Sequence, residues 1–275
     1  MPPSNPAKIS LLPESRQALR IRKRLTRRSR VTIASIFEPS DPNLTPEQHF
    51  PLQTVYTRTS QPRFVNLYDS REILLAIDGS CLNNGSKGPA TQPPAGGCSF
   101  SYKGPGKSGN TAVFPHIAPG QTEGGTVGFP LEEAGPGGEN HNVTSNRAKL
   151  RAVIAALEFR EWQQEGWRSI VVATDLEYIV SGATSWLSAW AKRGWKKKRR
   201  SSPITNRDLW EELHGIIDRL ALLGTSVSFW LIRSRDPAGE ASALVQDTKY
   251  VAREAAAVHV NATLLEFTRL CGIEV

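Results

Sequence analysis

Hydrophobic positions along this 275-residue chain are sparse before Glu72 and fall into short, patterned runs after it. Ile73, Leu74, Leu75, Ala76 and Ile77 form an apolar run that stops at Asp78-Gly79-Ser80. That is the signature of a central strand delivering a carboxylate to a sheet edge. Gly97 to Lys103 and Gly125 to Leu131 read as two more strands, set in a Gly- and Pro-rich stretch that predicts lengthened hairpin loops. From Arg147 to Trp162, Leu150, Val153, Ile154 and Leu157 recur at helical spacing, with Thr144 or Ser145 as the natural N-cap. Ser169 to Thr174 is a β-branched run that again stops at an aspartate, Asp175. Helices fit Glu177 to Ala191 and Asn206 to Leu223, a strand fits Ser226 to Ile232, and a last helix falls between Ala238 and Ala257. The order βββαβαβα predicts an α/β domain, a five-stranded mixed sheet flanked by helices.

Residues 1–68 are Pro-spotted and basic, with only short apolar groups such as Val31 to Phe37, and are expected to form a disordered tail. The folded domain is expected over 69–260, with 261–275 as a C-terminal extension. No run of about 18 apolar residues occurs, so no membrane span is expected. Cys81, Cys98 and Cys271 are odd in number and lack CxxC spacing, which argues against a disulfide framework and a zinc site.

Charge changes the picture. The net formal charge is +8, yet two segments, 20–30 and 192–200, each carry seven basic residues and no acid, so the remainder is acidic on balance. Such patches attract polyanions. The first also suits nuclear import, while an Arg-rich, acid-poor N-terminus suits mitochondrial import; the expected location is the nucleus or cytoplasm, with the mitochondrion an alternative.

A strand-terminal aspartate alone is commonly a turn residue. Here, however, IDGSCLNNG, TSNRAKLRAVIAALE, TDLEYIV, SGATSWLSAWAKRGW and ITNRDLWEEL occur in this order. These segments resemble type 1 ribonucleases H in the form common in fungi, over about Glu72 to Ala257. The resemblance implies the RNase H-like fold and an endonuclease that cuts the RNA strand of an RNA/DNA hybrid with two Mg²⁺ or Mn²⁺ ions held by four carboxylates. Asp78 and Asp175 match the first and third of these. At the second, where the family pattern has glutamate, TSNRAKL puts Lys149. The fourth falls on Ser242 in Glu240-Ala241-Ser242 or, with a longer loop, on Asp247, and both alternatives stay open. Restoring the family's charge would take −4; with Lys149 the set sums to −2 or −1. Lys149 is therefore expected to place its ammonium between Asp78 and Asp175 and to impair metal binding and catalysis. The competing expectations are that Glu177, Glu240 or a substrate phosphate completes a working site, or that Lys149 swings out to phosphate.

By the same resemblance, Trp186, Trp190 and Trp195, followed by Lys196, Lys197 and Lys198, form a basic protrusion against the DNA strand. Core packing explains Trp186 and Trp190 equally well. Gly79, Ser80, Cys81 and Asn84 are expected near the RNA strand, and Thr144, Ser145 and Asn146 at a helix start that touches the DNA, although capping also accounts for Thr144 or Ser145. The leading expectation is a monomeric hybrid-binding protein with weakened or lost cleavage. The alternatives are an active ribonuclease H using Asp78, Asp175 and Asp247, and a protein-interaction module on a retired nuclease fold.

Overall fold

Strand β4 (Glu72–Leu82) carries the run Ile73 to Ile77, and every one of these residues is buried. A strand covered on both faces reads as a continuous apolar run, and β4 is the middle of a seven-stranded mixed sheet. In the computed structural model the described residues are 32–54, 62–83, 93–104, 111–113, 125–196, 203–232, 242–259 and 266–270. They form β1 (Ser35–Ile36), α1 (Pro46–His49), β2 (Leu52–Thr54), β3 (Pro62–Phe64), β4, β5 (Ala95–Ser101), β6 (Thr111–Val113), β7 (Thr126–Pro130), α2 (Ser145–Glu158), β8 (Ser169–Thr174), α3 (Glu177–Ser181), α4 (Leu187–Lys192), α5 (Arg207–Leu222), β9 (Ser226–Leu231) and α6 (Ala243–His259). A π-helical turn, Gly182–Trp186, joins α3 to α4.

The sheet order is β1-β9-β8-β4-β5-β7-β6. β4 runs parallel to β8, and β8 to β9, while β4, β5 and β7 form an antiparallel meander. These five strands are the ones legible in the sequence; β1 and β6 are short parallel additions at the two edges. Side chains alternate across the sheet. Ile73, Leu75 and Ile77 face α2 and α5 in the larger core, with Leu150, Val153, Ile154, Leu213 and Ile217. Leu74 and Ala76 face the other way, into a smaller cluster with Phe50, Val171, Ala173, Trp230 and Leu244.

Small residues set how closely the second layer approaches. On the face under α6, β5 presents Gly97, Ser99 and Ser101. A Cβ at Gly97 would lie 2.2 Å from the Ala252 carbonyl oxygen and 2.3 Å from the Ala256 nitrogen. Ser99 Oγ donates to the Thr248 carbonyl at 2.5 Å, and the Ser101 and Thr248 hydroxyls lie 2.8 Å apart. The last helix therefore rests backbone to backbone on β5.

Three boundaries differ from the expectation. Of the tail expected over 1–68, the described residues 32–54 and 62–68 are part of the fold: β1 pairs with β9, α1 follows, and Phe50, Phe64 and Val65 are buried. These short apolar groups fold because the sheet supplies a partner face that local sequence cannot reveal. Residues 1–31, with the basic segment 20–30, lie outside the described residues. At the other end, Phe267 packs on the core and Leu270 is buried. Arg151 ties this stretch down: it is fully buried, pairs with Glu132 at 2.8 Å, donates to the Thr268 carbonyl, and lies 4.3 Å from the centre of the Phe267 ring. Finally, α2 stops at Glu158, and Trp162, expected within it, sits on the following turn with its indole N–H donated to the Ala156 carbonyl at 3.1 Å.

Gly97→Ala is expected to destabilise the protein by about 1–3 kcal/mol through overpacking against α6. Gly137, whose Cβ would meet nothing within 4 Å, is expected to tolerate alanine within about 0.5 kcal/mol. Urea unfolding of the two variants checks both.

Candidate functional site

The parallel pairing of β4 with β8 ends at Ala76–Ala173, while the antiparallel pairing with β5 continues to Leu82–Ala95. Asp78 therefore lies within β4 rather than at its end, at the point where the parallel neighbour has stopped. β8 ends at Thr174, whose hydroxyl accepts from the Leu176 backbone at 3.3 Å, and Asp175 stands in that turn. The two aspartates meet at the carboxyl edge of the sheet.

The third member arrives from α2. The Thr144 hydroxyl accepts from Arg147 N at 3.2 Å and fixes the start of the helix. One face of α2 then presses on β4 at Gly79, where a Cβ would lie 2.3 Å from Lys149 N. This close approach puts the Lys149 backbone level with the strand. Its ammonium lies 2.5 Å from Asp78 Oδ1 and donates a hydrogen bond to Asp175 Oδ1. The Asp78 oxygen is buried and has no hydrogen bond of good geometry, so its compensation is the ion pair itself. Side-chain exposure is 12% for Lys149, 9% for Asp78 and 31% for Asp175. Burial favours the neutral amine, but the charges of Asp78 and Asp175 and the hydrogen bond to Asp175 outweigh it and hold the ammonium above its ordinary pKa.

This arrangement does not fit the two divalent ions implied by the family resemblance. A unit pair at 4 Å is worth about 4 kcal/mol at an effective dielectric constant of about 20, so a divalent ion at that distance from the ammonium meets roughly 8 kcal/mol of repulsion. Asp247 is exposed on α6, and among the described residues no three His, Cys, Asp or Glu side chains come together as a metal-binding group. Ser242 is the cap of α6: its hydroxyl accepts from Val245 N at 3.1 Å. Glu177 is exposed, and Glu240 lies outside the described residues.

Other expected binding residues fall into three groups. Gly79 is buried beneath α2, which gives it a packing role; Ser80 and Cys81 are half-buried, and Asn84 lies outside the described residues. Asn146 is exposed at the start of α2, Ser145 is half-buried, and Thr144 is engaged in capping. Trp186 is 40% exposed and stacks at 5.7 Å on Trp190, which packs on the buried Trp210 at 5.5 Å. Tyr178 closes this aromatic row against both Trp186 and Trp210. The π-helical turn at Gly182, whose Cβ would strike Trp210 at 2.2 Å, sets this spacing. Trp195 is half-buried in a left-handed backbone conformation beside His214; Lys196 is exposed; Lys197 and Lys198 lie outside the described residues.

One pairing beside this surface was not anticipated from the sequence. Buried Arg147, in the first turn of α2, donates to both Asp208 oxygens at 3.0 and 2.7 Å, and His141 Nε2 is 3.3 Å from the same carboxylate. Burial raises the Asp208 pKa, but Arg147 and His141 outweigh it, and the carboxyl is held below its ordinary value. Asp208 thus locks the start of α2 to the start of α5. No local pattern links residues 61 positions apart.

The sequence profile of the RNase H family matches residues 70–223. Ribonuclease H of Treponema pallidum subsp. pallidum is 31% identical over 150 residues, covering 54% of this chain and 75% of that protein. Ribonuclease H of Thermosynechococcus vestitus is 41% identical over 85 residues, 30% of this chain, and the match spans only about half of its length, 52%. Among solved structures, LC9-RNase H1, described as a type 1 RNase H with the type 2 active-site motif, is 29% identical, with a TM-score of 0.41 over 67% of this chain and 72% of that one. The foamy-virus (PFV) RNase H domain is 16% identical, with a TM-score of 0.42 over 67% of this chain and 91% of that one.

A lysine whose folded pKa is raised contributes stability in full below its unfolded value of about 10.4 and loses it as the pH rises through the folded value. Lys149→Met is therefore expected to cost about 2–3 kcal/mol at pH 7, below the range for a fully buried pair because Asp175 is partly solvated. The wild type loses this advantage as the pH rises above about 10.4 and through the raised folded value. Urea unfolding of both proteins at pH 7 and 11 checks this.

Proposed function

Because the chain belongs to the RNase H family, we propose that it binds RNA/DNA hybrids and cleaves them weakly or not at all. The observation that carries this reading is the Lys149 ammonium, ion-paired to Asp78 and hydrogen-bonded to Asp175 where the family pattern has a glutamate. An ammonium held above its ordinary pKa stays charged throughout the neutral range, so pH near neutrality does not clear the site.

The binding half of the proposal rests on the surface beside that centre. Exposed Trp186 supplies an apolar platform, Lys192, Arg193 and Lys196 are exposed next to it, and Asn146 is exposed at the start of α2. Cations on such a surface hold phosphates without reading base identity, and the affinity they supply falls steeply with salt. Discrimination of a hybrid from duplex DNA then rests on groove shape and the 2′-hydroxyls of the RNA strand.

The purified full chain is expected to bind a hybrid duplex, with affinity falling about tenfold or more between 50 and 200 mM salt, and to show weak or no cleavage in Mg²⁺ or Mn²⁺. Lys149→Glu is expected to gain Mn²⁺ binding, read by calorimetry, and any nuclease activity it gains should disappear in Lys149→Glu/Asp78→Asn. Wild-type cleavage equal to that of Lys149→Glu, and abolished by Asp78→Asn, would overturn the proposal.

A further inference from the structure

The segment 32–50, outside the stretch matched by the family profile, runs along β9 and ends against the last helix. β1 pairs in parallel with β9, and Phe37 N continues the ladder to the Phe229 carbonyl at 2.8 Å. α1 then opens with a capping box: Gln48 N donates to the Thr45 hydroxyl, and Thr45 N to the Gln48 side chain at 2.8 Å. From α1, Glu47 Oε1 accepts from Leu244 N at 2.9 Å. That N–H belongs to the first turn of α6 and has no partner within its own helix. Ser242 and Glu47 together thus satisfy the start of α6, one from within and one from the N-terminal segment. Leu244 itself packs with Ala76 and Ala173, each two residues ahead of an aspartate of the Lys149 centre. The segment therefore holds the floor of that centre.

At the joint of this clamp sits His49. It is 1% exposed, and neither ring nitrogen has a hydrogen-bond partner. Its ring is enclosed by Phe37 at 5.5 Å, Phe50 at 5.2 Å, Tyr68 at 5.6 Å and Trp230 at 5.7 Å. A buried imidazole with two unpartnered nitrogens in an aromatic enclosure is stable only when neutral, because the imidazolium would be a desolvated charge with two unsatisfied donors.

We propose that the segment 32–50 is a proton-gated clamp: protonation of His49 expels its ring from the Phe37/Phe50/Tyr68/Trp230 enclosure, and the same opening withdraws Glu47 from the start of α6. The surrounding charges do not cancel the burial cost. Asp41 ahead of α1 and Glu72 at the start of β4 act on the ring and favour the cation, but burial dominates and holds the pKa below its ordinary value. Glu72 is already engaged, by Ser169 Oγ at 2.8 Å and by the Asn66 amide. Glu47 on α1 and Tyr68 are the other titratable groups at this joint; Trp230 of β9, Phe37 and Phe50 do not titrate. A base whose folded pKa lies below its unfolded value of about 6.5 costs the closed state increasing stability as the pH falls past that value. This inference does not depend on the hybrid-binding proposal.

Hydrogen-exchange protection factors, corrected for intrinsic rates, test it on the full chain. Between pH 6.5 and 5.5 the amides of Phe37, Phe50 and Leu244 are expected to lose protection together, by up to about tenfold for one linked proton, while the amides of β4 and β8 keep theirs. In His49→Phe, which refills the enclosure with an uncharged ring, protection at all three amides is expected to stay flat. Unchanged protection in the wild type, an equal loss in His49→Phe, or a loss at Phe37 and Phe50 without Leu244 would each overturn the clamp. Should the variant not fold, the wild-type His49 ring signal decides by NMR: a midpoint at or above about 6.5 with protection intact would overturn it, and a lower midpoint coincident with the loss of protection would support it.

Discussion

Backbone-to-backbone contact between helices and the central hairpin is the constraint on which this molecule depends. α2 meets β4 at Gly79 and α6 meets β5 at Gly97, one on each face of the sheet, and at either position a single methyl group would collide with main-chain atoms. Main chain cannot yield to a clash as a flexible side chain can. The two layers are consequently fixed in depth as well as in direction, and residues displayed from them reach the carboxyl edge of the sheet at set heights.

The Lys149 centre is a direct consequence. Because Gly79 lets α2 down onto β4, a side chain from position 149 reaches the two aspartates without being fully extended into solvent, and the residue type there decides the chemistry. A carboxylate at that height would add a third negative oxygen donor; an ammonium neutralises the pair instead. Partial burial of all three side chains strengthens the attraction over that of an exposed pair, while the same burial would penalise either aspartate left without its cation. The arrangement is thus stabilising for the fold and adverse to a divalent ion, and both follow from the same charges. The aromatic row of Trp186, Trp190, Trp210 and Tyr178 is built independently of it, on the π-helical turn and α5. Loss of one property does not require loss of the other.

The N-terminal segment extends this logic beyond the stretch that matches the family. It adds a strand to β9, covers Trp230 with Phe37 and Phe50, and supplies a carboxylate to the first turn of α6. The segment after α6 does the equivalent on the opposite face through Arg151, Glu132 and Phe267. Both ends of the folded chain close over the shared core.

What the sequence determined by itself is the part encoded by local periodicity and by register within single motifs. The five central strands, α2 with a cap at Thr144 or Ser145, and α5 follow from patterns of period 2 and 3.6, and the replacement at Lys149 is legible because its neighbours in TSNRAKL fix the register. The capping box at Thr45 and Gln48, with Pro46 at the first helical position, is a local helix-start signal that the expectation of a disordered tail over 1–68 passed over. Tertiary structure decided whatever depends on a partner distant in the chain. That the short apolar groups within 32–54 and 62–65 fold depends on the face of β8 and β9; that Asp78 lies inside its strand depends on pairing with β5; that Gly79 serves packing depends on α2. The lock of Arg147 on Asp208 and the aromatic enclosure of His49 join residues with no common local pattern. Burial and charge pairing are properties of the space between elements, and a linear pattern specifies only the elements.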